Sequence, residues 1–172
     1  MIQFGTGGWR AEIGKDFHRD NVRRIGQAMA NRIISEGVNG TPVVIGYDRR
    51  FLSDSAAQWL AEVLAANGIP VYFMHRSSPT PLVMHTVMKM GLDYGMEVTA
   101  SHNPPTYNGI KIIVKEGRDA PVETTQALEA EIARLREEDI HVMSFDAAVA
   151  AGTITWLENP FNRFLDDILG VL

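Results

Sequence analysis

The residue types best able to do chemistry gather in one stretch, Thr99-Ala100-Ser101-His102-Asn103-Pro104-Pro105-Thr106-Tyr107-Asn108-Gly109-Ile110-Lys111. It carries a hydroxyl, an imidazole and an ammonium. Pro104-Pro105 and the Asn108-Gly109 turn restrict the backbone between them, which would hold the Ser101 hydroxyl and the Lys111 ammonium across the base of a hairpin. A serine fixed beside a lysine suits a nucleophile served by a base or cation, or a phosphoryl carrier whose charge the cation neutralises. A rigid turn without chemistry is the plain alternative. Other chemistries find less support: Ala100-Ser101-His102 is not the G-x-S-x-G elbow of a serine hydrolase. His18, His75, His85, His102 and His141 show no metal-ligand spacing, and with no cysteine there are no thiolate ligands or nucleophiles.

The elements that must position this stretch are legible in the apolar periodicity. Val22, Ile25, Met29 and Ile33 predict a helix over about residues 19–36, with Gly37 as its left-handed cap. Thr41 to Asp48 reads as a strand buried on both faces, with the polar exit Asp48-Arg49-Arg50. Ser53 or Asp54 can cap a second helix, with Trp59, Leu60, Val63 and Leu64 on one face, ending at Asn67-Gly68. A strand over 69–74 then exits through His75-Arg76-Ser77-Ser78, and Ser78-Pro79 opens a third helix to about Met90. The third strand is Tyr94 to Ala100.

Strands alternating with helices are expected to run parallel, gathering their carboxyl ends along one edge, where open α/β sheets bind ligands. The stretch from Thr99 to Ile110 is too short for a crossover helix, so Ile110 to Lys115 should return antiparallel. A charged surface helix follows from Pro121 to about Glu138, with Ala127, Leu128, Ile132 and Leu135 inward. After a short segment over 145–150, Asn159-Pro160 starts a last apolar stretch through Phe161, Phe164, Leu165, Ile168 and Leu169. The expected fold is therefore α/β, a three-layer α/β/α sandwich on a mixed four-stranded sheet whose last strand is antiparallel.

Composition bounds the function. The 172 residues, 45% hydrophobic and 22% charged, exclude a disordered or collagenous chain and leave room for one α/β domain and the start of another. The boundary is expected near residue 155, with 156–172 opening a second domain. Net charge is −5, which argues against a nucleic-acid partner, yet residues 1–50 carry eight Lys and Arg against five acids and could hold a local anion site. No stretch approaches a membrane span and the start MIQFGTGGWR is no signal peptide, so a cytoplasmic location is expected.

The Thr99–Lys111 sequence resembles the phosphoserine signature of the α-D-phosphohexomutases, the phosphoglucomutase/phosphomannomutase family. Phe4-Gly5-Thr6-Gly7-Gly8-Trp9-Arg10 is similar to that family's N-terminal F-G-T-x-G-x-R motif, and Gly46-Tyr47-Asp48-Arg49-Arg50 to its G-x-D-x-R at a strand end. All three occur in the family's order and cover about residues 1–150, the first of its four domains. The resemblance implies that Ser101 is the phosphorylated serine, a phosphate oxygen of which coordinates Mg²⁺. It further implies acid/base and charge-stabilising roles for Lys111 and Arg10, with His102 beside the serine, and phosphate or substrate contacts from Thr6, Gly7, Asn103, Asp48 and Arg50. A hexose phosphate would be the substrate, isomerised between 1- and 6-phosphate, with hexose 1,6-bisphosphate as intermediate and activator. The family's Asp-Gly-Asp-x-Asp metal loop, its sugar loop and its R-x-S-G-T-E-P loop do not occur in this sequence, so the remaining metal ligands and mutase domains are expected outside it and the chain alone should be inactive. The alternative is a stand-alone α/β phosphosugar-binding or regulatory module without turnover.

Overall fold

In the computed structural model, which describes residues 1–5 and 7–172, the apolar runs and the periodic stretches of the sequence become strands and helices in alternation. In chain order these are β1 (Phe4–Gly5), β2 (Gly8–Glu12), α1 (Arg19–Ser35), β3 (Val43–Tyr47), α2 (Ser53–Ala66), β4 (Val71–Met74) and α3 (Thr80–Lys89). There follow β5 (Tyr94–Val98), β6 (Tyr107–Val114), β7 (Arg118–Asp119), α4 (Val122–Arg134), α5 (Phe145–Ala150), β8 (Ile154–Leu157) and α6 (Pro160–Leu169). One mixed sheet has the order β1-β2-β6-β5-β3-β4-β8, with β7 beside β6. The β3, β4, β5 and β8 pairings are parallel, and β6 runs antiparallel to β5 as the short Thr99–Ile110 connection predicts.

The sheet has eight strands where four were expected. The additional ones carry little signal of their own. β1 and β7 are two residues long, too short for any periodicity, β8 is an edge strand, and β2 pairs with β6 far along the chain, so both find partners only after the sheet has formed. β8 continues the sheet past residue 155, to Leu157 opposite Met74.

Strand alternation divides the core into two layers. Val43, Ile45, Val71, Phe73, Met96, Val98 and Ile110 face α1, α2, α4 and α5. Val44, Met74 and Ile113 face the other way, against Leu82, Val83 and Val87 of α3, with Phe161 and Phe164 of α6 packed beside them. Polar contacts also tie α6 to α3: Asp167 lies 2.7 Å from His85 Nε2 and 3.0 Å from Lys89 Nζ. No helix among the described residues is long and apolar enough to cross a membrane.

Two helix starts depart from expectation. Ser53 does not cap α2: Leu52 precedes the helix in a left-handed conformation (φ 65°), while the buried Ser53 hydroxyl donates to Asp48 Oδ1 at 2.6 Å. At α3 the residue before the first helical position is Pro79, and Ser78 is turned inward and buried. In both cases the serine side chain turns toward the carboxyl edge of the sheet and leaves its helix uncapped. In α4, Leu128, Ile132 and Leu135 are buried as expected, whereas Ala127 is exposed.

Phe73 joins three elements at the far side of the sheet. Its ring meets Phe145 of α5 edge-on at 5.0 Å between centroids and Trp156 of β8 at 5.4 Å. Replacing Phe73 by Ala is expected to cost about 3–5 kcal/mol in denaturant-induced unfolding, with a change in tryptophan fluorescence before the global transition as β8 loosens. A loss below about 1 kcal/mol would show that the β4–β8 edge does not depend on this ring.

Candidate functional site

The carboxyl ends of β3 and β5 are two adjacent exits, Asp48-Arg49-Arg50 and Thr99 to Asn103. The second is held in shape by the first. Arg50 Nη2 donates to the carbonyls of Ser101 and Asn103, both at 2.8 Å, and Nη1 donates to those of Pro104 at 2.8 Å and Tyr107 at 3.1 Å. Its Nε meets Asp48 Oδ2 at 3.3 Å. The two Nη groups thus make four hydrogen bonds, and carbonyls that would otherwise splay toward water are drawn onto one planar cation.

Asp48 orients that cation. Its Oδ1 accepts the Arg50 backbone N–H at 2.9 Å and the Ser53 hydroxyl at 2.6 Å. Asn108, fully buried, donates to Ser53 Oγ at 2.9 Å and to the Phe51 carbonyl at 3.0 Å. The sequence Asp48, Ser53, Asn108 thus joins the first exit to the hairpin base by buried hydrogen bonds. Two short turns complete the loop: the amide of Asn103 donates to the Ala100 carbonyl and that of Tyr107 to the Pro104 carbonyl, each at 3.0 Å.

Ser101 sits at the outermost point of this frame. Its backbone is left-handed (φ 54°), a conformation that costs a non-glycine residue roughly 1–3 kcal/mol and persists only where the surroundings enforce it. Here its N–H donates to Thr99 Oγ1 at 3.1 Å and its carbonyl is bound by Arg50. The side chain is exposed, and its Oγ lies 3.3 Å from His102 Nδ1. The Ser101 hydroxyl is thereby presented to solvent on a backbone held at both its N–H and its carbonyl.

Lys111 lies on β6 with its side chain mostly covered and its Nζ 2.6 Å from Asp119 Oδ1 of β7. Gly7, left-handed at φ 79°, brings the N-terminal turn against it: a Cβ there would lie 3.6 Å from Lys111 Nζ. Arg10 on β2 is the register partner of Gly109, and alternation with the buried Trp9 puts its side chain on the same face of the sheet as Lys111. Gly109 is required by space, since a Cβ at that position would overlap the Trp9 carbonyl oxygen and lie 2.9 Å from that of Thr99.

The structure therefore brings Ser101, His102, Asn103, Asp48 and Arg50 into one hydrogen-bonded assembly, with Arg10 on β2, Lys111 on β6 and Gly7 in the turn before β2, while Thr6 lies outside the described residues. Of the two residues expected to contact phosphate, Arg50 donates to the loop's main-chain carbonyls and Asp48 accepts from Arg50 and Ser53. Sequence reasoning missed Asp119, Ser53, Asn108 and the wholly buried Glu97, which faces Lys111 across β5 and β6. A charged residue within the apolar strand Tyr94–Val98 was the one available signal for Glu97. Among the described residues no three carboxylate or imidazole groups converge as a metal site.

Arg50→Lys retains the charge but cannot reach four carbonyls from one plane. It is expected to lower stability by about 2–4 kcal/mol and to accelerate amide hydrogen exchange over residues 101–107 selectively. Unchanged exchange there would remove Arg50 as the element holding the loop.

Comparison with known proteins agrees with this geometry. Residues 1–139 match the model of the family described as phosphoglucomutase/phosphomannomutase, alpha/beta/alpha domain I. The chain is 34% identical over 163 residues to a phosphoglucomutase of Staphylococcus saprophyticus, covering 92% of this chain and 29% of that one. It is 32% identical over 170 residues to a Methanobrevibacter smithii protein named "Probable phosphoglucosamine mutase", covering 98% and 36%. A solved phosphoglucomutase/phosphomannomutase family protein from Burkholderia thailandensis superimposes with a TM-score of 0.75 at 27% identity, covering 95% of this chain and 34% of that one. The chain thus spans about a third of the length of these relatives. With the matched region running from the N-terminal turn through the serine loop and α4, this chain belongs to the phosphoglucomutase/phosphomannomutase family, as its α/β/α domain I.

Proposed function

We propose that this chain is the serine-bearing domain of a phosphohexomutase that interconverts hexose 1-phosphate and hexose 6-phosphate through a phosphoserine at Ser101. The observation that carries the reading is the exposed Ser101 hydroxyl on a left-handed residue whose carbonyl is locked by Arg50, with His102 Nδ1 at 3.3 Å. Phosphoryl transfer requires mainly fixed positioning and neutralised oxygen charge, and this frame offers both.

In the forward half-reaction the bond between phosphorus and Ser101 Oγ breaks while a sugar hydroxyl oxygen bonds to phosphorus. The sugar hydroxyl gives up its proton to a base, the serine oxygen takes one up, and the product is a hexose bisphosphate. The reverse half-reaction, on the reoriented sugar, returns the other phosphoryl group to Ser101. His102 is placed to handle the proton at Oγ, while Lys111 and Arg10 supply positive charge from the neighbouring strands, Lys111 also serving as an acid/base group. Asn103, Gly7 and Thr6 would meet the phosphoryl or sugar oxygens, and Asp48 and Arg50 act by holding the loop.

A phosphate on Ser101 would present hard anionic oxygens of the kind Mg²⁺ prefers and would be its single ligand from this chain, the others coming from outside it. Bound there, the ion would supply charge neutralisation at the transferring group. Residues 156–172 lead, in this reading, into the next domain, which would cover the exposed Leu165, Ile168 and Leu169 of α6. The relatives' names differ in the sugar, glucose in one and glucosamine in another, and the sugar specificity is assigned to parts of the enzyme outside this chain.

Labelled hexose 1,6-bisphosphate, given to the complete protein, is expected to phosphorylate Ser101, and Ser101→Ala to abolish both labelling and turnover. Label that persists in the alanine variant would overturn the assignment. Lys111→Met is expected to reduce kcat by about 10²–10⁴ while leaving labelling at Ser101 detectable after long incubation. By calorimetry, the unphosphorylated 172-residue chain should bind Mg²⁺ only weakly.

A further inference from the structure

One buried ionisable group has no place in the account above. Glu97 is wholly inaccessible, and neither carboxyl oxygen has a hydrogen-bond partner among the described residues. An ionised carboxylate in that condition would be prohibitively costly, so the group must be uncharged or must have a counter-charge within reach.

The register of the sheet shows where it stands. Gly46 of β3 is opposite Glu97 of β5, and Glu97 is opposite Lys111 of β6, so the three form one row across neighbouring strands. Gly8 continues the row beyond, where a Cβ would lie 3.1 Å from Lys111 Cα. The absence of a side chain at Gly46 leaves the space on this face to the Glu97 carboxyl. A Cβ at Gly46 would overlap Glu97 Oε2 and would lie 2.8 Å from Ser78 Oγ, a buried hydroxyl that also lacks a partner.

The charged groups around Glu97 can be named element by element. Asp48 at the end of β3 acts against its ionisation, and Lys111 on β6 favours it. From α3, Val83 closes the space, while His85 and Lys89 are directed to Asp167 of α6. Burial, reinforced by the Asp48 carboxylate and only partly offset by Lys111, holds the Glu97 carboxyl well above the ordinary range near 4.5. Lys111 Nζ meets Asp119 Oδ1 at 2.6 Å, while Glu97 stands opposite Lys111 across the neighbouring strand.

We propose that Glu97 is a positioning residue for Lys111: a neutral carboxylic acid at the inner end of the row which, on ionising, draws the lysine's ammonium inward and so sets how much of that charge faces the Ser101 loop. It acts through Lys111 and does not touch the reacting atoms. The inference rests on the proposed function only in giving Lys111 a task at the loop, and its test requires no turnover.

The test uses the 172-residue chain with ¹³C-labelled glutamate and lysine side chains, followed by NMR against pH. Glu97 is expected to titrate well above the other glutamates, and Lys111→Met to move its midpoint further up by roughly one pH unit as the favourable charge is lost. The Lys111 ¹³Cε signal is expected to show an inflection at the Glu97 midpoint that disappears in Glu97→Gln. A merely structural glutamate would leave that signal flat, and so a flat signal overturns the proposal, as does an ordinary Glu97 midpoint. Stability gives an arm that does not depend on assigned spectra. The folded state binds the Glu97 proton more tightly than the unfolded one, so this group's contribution is full below about pH 4.5 and lost as pH rises through the folded value. Glu97→Gln should therefore unfold at a temperature that rises relative to wild type as pH increases; a constant difference counts against a neutral buried acid. Failure of Ser101 labelling with these results intact would instead reject the mutase reading.

Discussion

The arrangement at the carboxyl edge of the sheet depends on one cation. The Arg50 guanidinium gathers the carbonyls of Ser101, Asn103, Pro104 and Tyr107, and Asp48 holds it in plane from behind. Without that cation, these carbonyls would lose the donor they share, and the left-handed backbone of Ser101 would lose the hydrogen bond to its carbonyl. The loop's rigidity thus originates on a different strand from the loop itself.

That dependence explains the strand order. β3 and β5 are adjacent although α2, β4 and α3 intervene in sequence, so the exit that carries Arg50 lies beside the exit that carries Ser101. β6 then returns antiparallel next to β5, which brings Asn108 under Ser53 and places Lys111 opposite Glu97. β2 pairs with β6 in turn and sets Arg10 and Gly7 at the same edge. Helices on both faces bury the sheet, and Glu97, Asn108 and Ser53 are polar residues buried near this edge.

The fold was legible in the sequence because its main strands are short β-branched runs bounded by turn residues and its helices carry clear apolar faces. The serine loop was legible because two prolines and an Asn-Gly turn leave few conformations open. The two-residue strands β1 and β7 and the edge strand β8 were not, since each is defined by hydrogen bonds to a partner far away in sequence rather than by any local preference. Ser53 and Ser78 read as helix caps for a related reason. Their local context favours a cap, and only the neighbouring strands show that their hydroxyls face the sheet.

What the sequence by itself determined was the α/β alternation, the antiparallel return at the serine loop, and the identity of the residues able to do chemistry there. The tertiary structure decided their relations: that Arg50 serves the loop's main chain and Asp48 serves Arg50, that Asp119 meets Lys111, and that a glutamate with no hydrogen-bond partner among the described residues stands opposite that lysine, with Gly46 on its other side. The physical reason is the range of the forces. Helix caps, turns and apolar periodicity act over a few residues of chain, whereas guanidinium hydrogen bonds, cross-strand register and the cost of burying charge are settled between residues that meet only when the sheet is assembled.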